Sequence, residues 1–144
     1  SFTPRKLSSL SKSLYPSDEL VRSLEYSRVR TNQFSVFLSY YKYGAFINTI
    51  ANRKTVYDEF FIYAPDVEAR FIDMNELFYT RNEEKAIIYL KNYRINYILI
   101  TPEMKNGLIW HRDDEGLLYL LQNKDKLFRR IYYKDGVEIW KVLI

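Results

Sequence analysis

The chain has no cysteine among its 144 residues. Disulfides and thiolate zinc sites are therefore excluded, and the compartment is left open. A single histidine, His111, also removes multi-histidine metal centres and any Ser–His site that uses a second imidazole. Only four glycines are present. They supply neither a Gly-x-Gly-x-x-Gly turn after the first strand nor a P-loop, which argues against nucleotide binding. No apolar run reaches the roughly 18 residues that a membrane-crossing helix needs. Basic residues are scattered, and no run reaches the five or so of a nucleic-acid tail. The net charge of +4 is mild, compatible with a nearby anionic membrane surface and not with a strongly basic nucleic-acid binder.

What is present suits one folded domain. The chain is 47% hydrophobic and 28% charged, and it is long enough to bury a core without staples. Tyrosine is abundant, with 14 copies. Tyr packs its ring while its hydroxyl meets water, so this richness fits ordinary packing. It also fits a binding face for sugars, peptides or bases. The opening SFTPRKLSSLSKSLYPSDE is polar and basic, without a signal-peptide pattern. It reads as a tag scar with a linker, or as a tether to something larger. The expected layout is a tether over residues 1–14 and one domain over 15–144.

Along the chain, Ser17 or Asp18 caps a helix over about 17–28, with acids in its first turn. FSVFLSYY (34–41) reads as a buried strand, and Gly44 ends it. AFINTIA (45–51) has helical spacing, and KTVYD (54–58) is a short strand. Pro65-Asp66 opens a helix with an apolar stripe of Val67, Phe71, Met74, Leu77 and Phe78. Asn82 caps a helix over 83–94, and INYILI (95–100) is the cleanest strand. Pro102 closes it, and the following stretch reads as a loop with at most a turn of helix. GLLYLLQN (116–123) is a short helix. Asp135-Gly136 between two β-rich runs signals a hairpin with a two-residue type I′ turn. Alternating elements predict an α/β fold: a mostly parallel central sheet flanked by helices, with a C-terminal antiparallel hairpin at one edge.

Three constellations are candidates for chemistry. WHRDDEG (110–116) could stack a sugar or hold a cation, but its spacing fits no metal-ligand pattern, and its acids suit capping of the next helix. Asp58-Glu59 could form an acid pair, although adjacent strand residues point to opposite faces. SYYKYG (39–44) differs because its position supports it. Open α/β sheets bind ligands beyond the carboxyl ends of their strands, where Tyr40, Tyr41 and Tyr43 would rim a crevice. Gly44 allows a tight turn or a close helix approach.

SYYKYGAFINTIANRKTVYD resembles the stretch of oligosaccharyltransferase catalytic subunits that carries the W-W-D-Y-G motif. More loosely, NYILI (96–100) and GVEIWKV (136–142) resemble the terminal soluble domains of multi-pass C-type glycosyltransferases. In that family the motif ends a strand, enters a helix and holds the Ser/Thr of the acceptor sequon. The resemblance puts Tyr40 and Tyr41 in the place of the Trp pair, Lys42 in the place of the Asp, and matches Tyr43 and Gly44. Lys has donors and no acceptor, so at that place it suits phosphate or carboxylate, not a hydroxyl. Arg53 and Asp58 follow as supporting residues, most simply structural ones. The family's metal and lipid-linked donor are held by membrane helices and their loops, which this chain lacks. The resemblance therefore implies no catalytic residue, no metal and no cofactor in this chain. It implies an extracytoplasmic domain of a polytopic membrane protein, whose partners are the membrane-embedded part of its parent and a peptide or glycan acceptor, with no nucleic acid. A composition rich in Ile, Lys, Tyr and Asn suits an AT-rich, archaeal source. The alternative is a free-standing α/β ligand- or protein-binding module.

Overall fold

INYILI is apolar on both faces because both faces are covered. The structure, a computed structural model, describes residues 15–57 and 65–144. The described elements begin with α1 (Asp18–Arg30), β1 (Val36–Leu38), a 3-10 turn at Tyr41–Tyr43 and α2 (Gly44–Phe46). The last of these runs into a π-helical turn, Ile47–Ala51. Then come β2 (Lys54–Thr55), α3 (Val67–Tyr79), α4 (Glu83–Asn92), β3 (Tyr97–Ile100) and a second π turn, Met104–Leu108. The chain closes with α5 (Gly116–Asn123), β4 (Phe128–Lys134) and β5 (Val137–Val142).

The sheet has the order β2-β1-β3-β5-β4. Strand residues alternate between its faces. Leu38, Ile98, Ile100 and Trp140 pack with Met74 and Leu77 of α3, Leu90 of α4 and the leucines of α5. Phe37, Tyr97, Leu99 and Ile139 pack with Leu20 and Leu24 of α1 and with Ile47 and Ala51 of the first π turn. Helices therefore flank the sheet on both sides, as the alternating order of elements leads one to expect.

The expectation of a mostly parallel sheet is corrected. β1 pairs in parallel with β2 and β3, but β5 pairs antiparallel with both β3 and β4. The sheet is mixed. A strand that returns through a two-residue turn can only pair antiparallel, and β5 takes the free edge of β3. The hairpin itself is as read: Asp135 and Gly136 have φ of 48° and 82°, both positive as a type I′ turn requires.

The expected helix starts stand. Ser17 Oγ accepts from the Leu20 amide at 3.1 Å, and Asn82 Oδ1 from the Lys85 amide at 3.0 Å. The run 34–41 keeps only three residues in the sheet, because its tyrosine end winds into the 3-10 turn. The acids before α5 do not cap it: Glu115 instead accepts from the His111 amide at 3.3 Å. Trp110, a candidate for sugar stacking, is wholly buried and donates from Nε1 to the Phe78 carbonyl at 2.8 Å. Asp58 and Glu59 lie outside the described residues, as do residues 1–14.

Much of the tyrosine serves packing. Tyr89, Tyr93 and Tyr132 turn their hydroxyls to the carboxylates of Glu76, Asp73 and Glu19. Each ties two elements together while its ring covers apolar surface.

Candidate functional site: the tyrosine turn at the strand ends

β1, β2 and β3 point the same way, so the turns that follow them meet at one end of the sheet. SYYKYG follows β1, Val56-Tyr57 follows β2, and Thr101-Pro102-Glu103 follows β3. The chain leaves β1 for β2 on one side and later reaches β3 on the other. The tyrosine turn thus stands where the strand order reverses, the position that leaves a crevice in open α/β sheets.

Two grooves flank it. The larger, about 610 Å³, runs between the tyrosine turn and the turn after β3, lined by Tyr40, Lys42, Tyr43, Phe46 and Glu103 and by the start of α1. The smaller, about 290 Å³, lies towards α3 and is lined by Tyr40, Tyr41, Tyr57, Phe71, Asn75 and Tyr79 with neighbouring apolar residues. Tyr40 and Leu108 line both and form the ridge between them.

The turn is held from several sides. The Tyr40 ring tilts against Tyr41 at 4.7 Å and meets Tyr43 edge-on at 6.1 Å. Tyr41, 39% exposed, packs edge-on against Phe71 at 5.9 Å. Tyr43 Oη and Thr101 Oγ1 share a hydrogen bond of 3.0 Å, and Thr101 Oγ1 also accepts from the Met104 amide at 3.3 Å. The turn after β1 is thereby tied to the π turn that carries Leu108. Burial raises the pKa of Tyr40, Tyr43 and Tyr57 above the ordinary phenol value. At Tyr43 the Thr101 hydrogen bond opposes that shift and the Glu103 carboxylate adds to it. All three remain neutral donors at physiological pH.

Gly44 is needed for space. Its φ of −55° suits any residue, but a Cβ there would lie 2.3 Å from the Tyr57 carbonyl oxygen. Absence of a side chain lets the helical segment close onto the end of β2.

Tyr40, Lys42 and Tyr43 line the larger groove, Tyr40 and Tyr41 line the smaller, and Arg53 lines neither. Arg53 is buried, and its guanidinium donates to Thr31 Oγ1 and to the carbonyls of Arg28, Thr31, Ala51 and Asn52 at 2.8–3.2 Å. It pins the end of α1 to the far end of the segment that starts at Gly44. Its expected supporting part is therefore structural. Sequence reasoning did not find Tyr57, Asn75, Tyr79, Glu103 or Leu108 as lining residues. Phe71, Asn75 and Tyr79 recur every four residues on one face of α3, and that spacing was the available signal. For Leu108 and Glu103 no local signal exists, because the register of β3 places them.

The fold is similar to that of the C-terminal globular domains of archaeal oligosaccharyltransferases. One such domain from Archaeoglobus fulgidus superposes with a TM-score of 0.64 at 16% identity, covering 89% of this chain and 99% of that domain. A second from the same organism gives 0.51 at 18% identity, covering 99% of this chain and 98% of that one. An Archaeoglobus fulgidus oligosaccharyltransferase tethered with an acceptor peptide containing the NVT sequon gives 0.50 at 15% identity, with 62% of this chain matched to 14% of that one. At these identities the likeness establishes the fold. No family model and no curated protein matches the sequence.

Proposed function

We propose that this chain is the extracytoplasmic domain of a multi-pass membrane glycosyltransferase, and that its tyrosine turn binds or positions the acceptor. The observation that carries the reading is the place of SYYKYG: at the strand-order reversal, between two grooves, in a fold shared with oligosaccharyltransferase C-terminal domains. Residues 1–14 form the tether to the membrane-embedded part of the parent, and residues 15–144 form the domain. No helix among the described residues is long and apolar enough to cross a membrane, so the parent's other segments supply the donor site and the chemistry.

Tyr40 and Tyr41 take the part of the family's Trp pair and offer aromatic faces. Lys42 stands in the place of the family's Asp and offers only donors, so the acceptor presents an acceptor atom or an anion there, not a hydroxyl proton. Arg53 braces the helix behind the turn.

The test is Tyr41→Ala with Lys42→Ala in the intact parent. Glycosyl transfer falls about tenfold or more while the isolated domain still folds and melts cooperatively. Full activity in that variant rules out the turn as an acceptor site. Fractionation of native cells tests the localisation: a large membrane-bound band supports it, and a soluble band near 17.4 kDa leaves a free-standing α/β binding module.

A further inference from the structure

The larger groove contains two charges of opposite sign without partners. Lys42 and Glu103 both line it, both are exposed, and neither forms a hydrogen bond or ion pair among the described residues. This sets them apart from Lys105 and Arg130, which both bind the buried Glu138. Lys42 is on the turn after β1 and Glu103 on the turn after β3, adjacent strands in the sheet. The two turns leave the same end of neighbouring strands, so both charges belong to one groove of about 610 Å³. The rings of Tyr40 and Tyr43 line the same groove. Leu20, Phe46 and Val137 add apolar surface to that lining. Two exposed charges of opposite sign beside buried and half-buried apolar side chains are complementary to a ligand with both charges at one end and hydrocarbon at the other.

We propose that the larger groove binds a zwitterionic amphiphile. Its phosphate rests on Lys42, its ammonium lies between Glu103 and the ring of Tyr43, and its apolar part covers Phe46, Leu20 and Val137. Lys is a point donor to phosphate, and an ammonium gains from both a carboxylate and an aromatic face. Soluble phosphoethanolamine has the same charged pair, but only a lipid also covers the apolar lining. The occupant is therefore a lipid headgroup with the first part of its chains. This goes beyond the acceptor reading. Lys42 is common to both readings, but the acceptor test is read as transfer by the parent, whereas the lipid is read by direct binding and through Glu103, which the acceptor test leaves intact, so either can fail alone.

The experiment titrates the 144-residue chain with dihexanoyl-phosphatidylethanolamine below its micelle concentration, following backbone amide shifts by NMR. Phosphoethanolamine and inorganic phosphate are run as comparators. The lipid gives saturable shifts centred on residues 40–46 and 101–108. Phosphoethanolamine binds about tenfold more weakly, and phosphate more weakly still. Lys42→Ala and Glu103→Ala each weaken lipid binding about tenfold without lowering the melting temperature. Phosphate binding as tightly as the lipid would mean a simple anion site and overturn the proposal. Lipid binding that does not saturate, or that neither substitution weakens, overturns it as well.

Discussion

The two halves of the sheet treat charge in opposite ways. In the antiparallel half, Glu138 is 2% exposed and accepts from Lys105 at 2.7 Å and Arg130 at 3.1 Å. Arg130 also lies over the Tyr133 ring at 4.3 Å. At the carboxyl ends of the parallel strands, Lys42 and Glu103 line a groove and form no such pair among the described residues. Burying a carboxylate requires partners. A charge left at the mouth of a groove does not stabilise the fold, and it remains available to a ligand. The contrast separates the residues that hold this domain together from those it presents.

The comparison can be broken first at Gly44, where the two roles touch. Gly44→Ala drives a Cβ into the Tyr57 carbonyl and is expected to cost about 1–3 kcal/mol in urea unfolding. An unchanged midpoint would show that the crevice scaffold yields more readily than its packing implies. In the paired half, Glu138→Gln keeps the shape and removes the charge. The loss of two charge-assisted bonds is expected to cost about 2 kcal/mol, again by urea unfolding.

The tyrosine–carboxylate pairs give a pH signature. Tyr93 and Tyr132 are pushed up to about 12, chiefly by burial and then by hydrogen bonds to Asp73 and Glu19. Tyr89 is pushed up to about 12, chiefly by its bond to Glu76. The folded state holds these protons more tightly than an unfolded phenol of pKa 10.0. Their stabilisation is complete below pH 10.0 and is lost as pH rises to about 12, so the urea midpoint falls across that window. A flat alkaline limb would show that the pairs add nothing. The smallest effect belongs to the unpaired charges: Lys42→Ala and Glu103→Ala each change stability by less than about 0.5 kcal/mol. A larger loss at either would move that residue from the presented class to the structural one.

The same division explains what the sequence made legible. The hairpin was readable because Asp135-Gly136 fixes turn and register locally. The caps Ser17 and Asn82 were readable for the same reason, since a cap is satisfied within its own turn. The mixed sheet was not, because nothing near β5 states which strand edge is free. At the site, SYYKYG could be placed at a strand end, but the grooves beside it depend on α3 and on the π turn after β3. A π turn has no composition of its own, so Leu108 and Glu103 had no signal. Gly44 was expected to serve a tight turn or a close approach, and the structure selects the approach.

The Phe78 carbonyl has a further consequence. It accepts from the Trp110 indole at 2.8 Å, and it lies against Gly116, where a Cβ would come within 2.2 Å. On one side of the stretch His111–Glu115 Trp110 is thus bonded to the end of α3, and on the other Gly116 packs closely against the same atom. The excursion between them is a closed loop whose closure cost rises only slowly with length, by about 0.6 kcal/mol for each doubling. That makes it a natural graft point: an epitope or a fluorophore-bearing insert would be received there while the helices on either side keep their anchor.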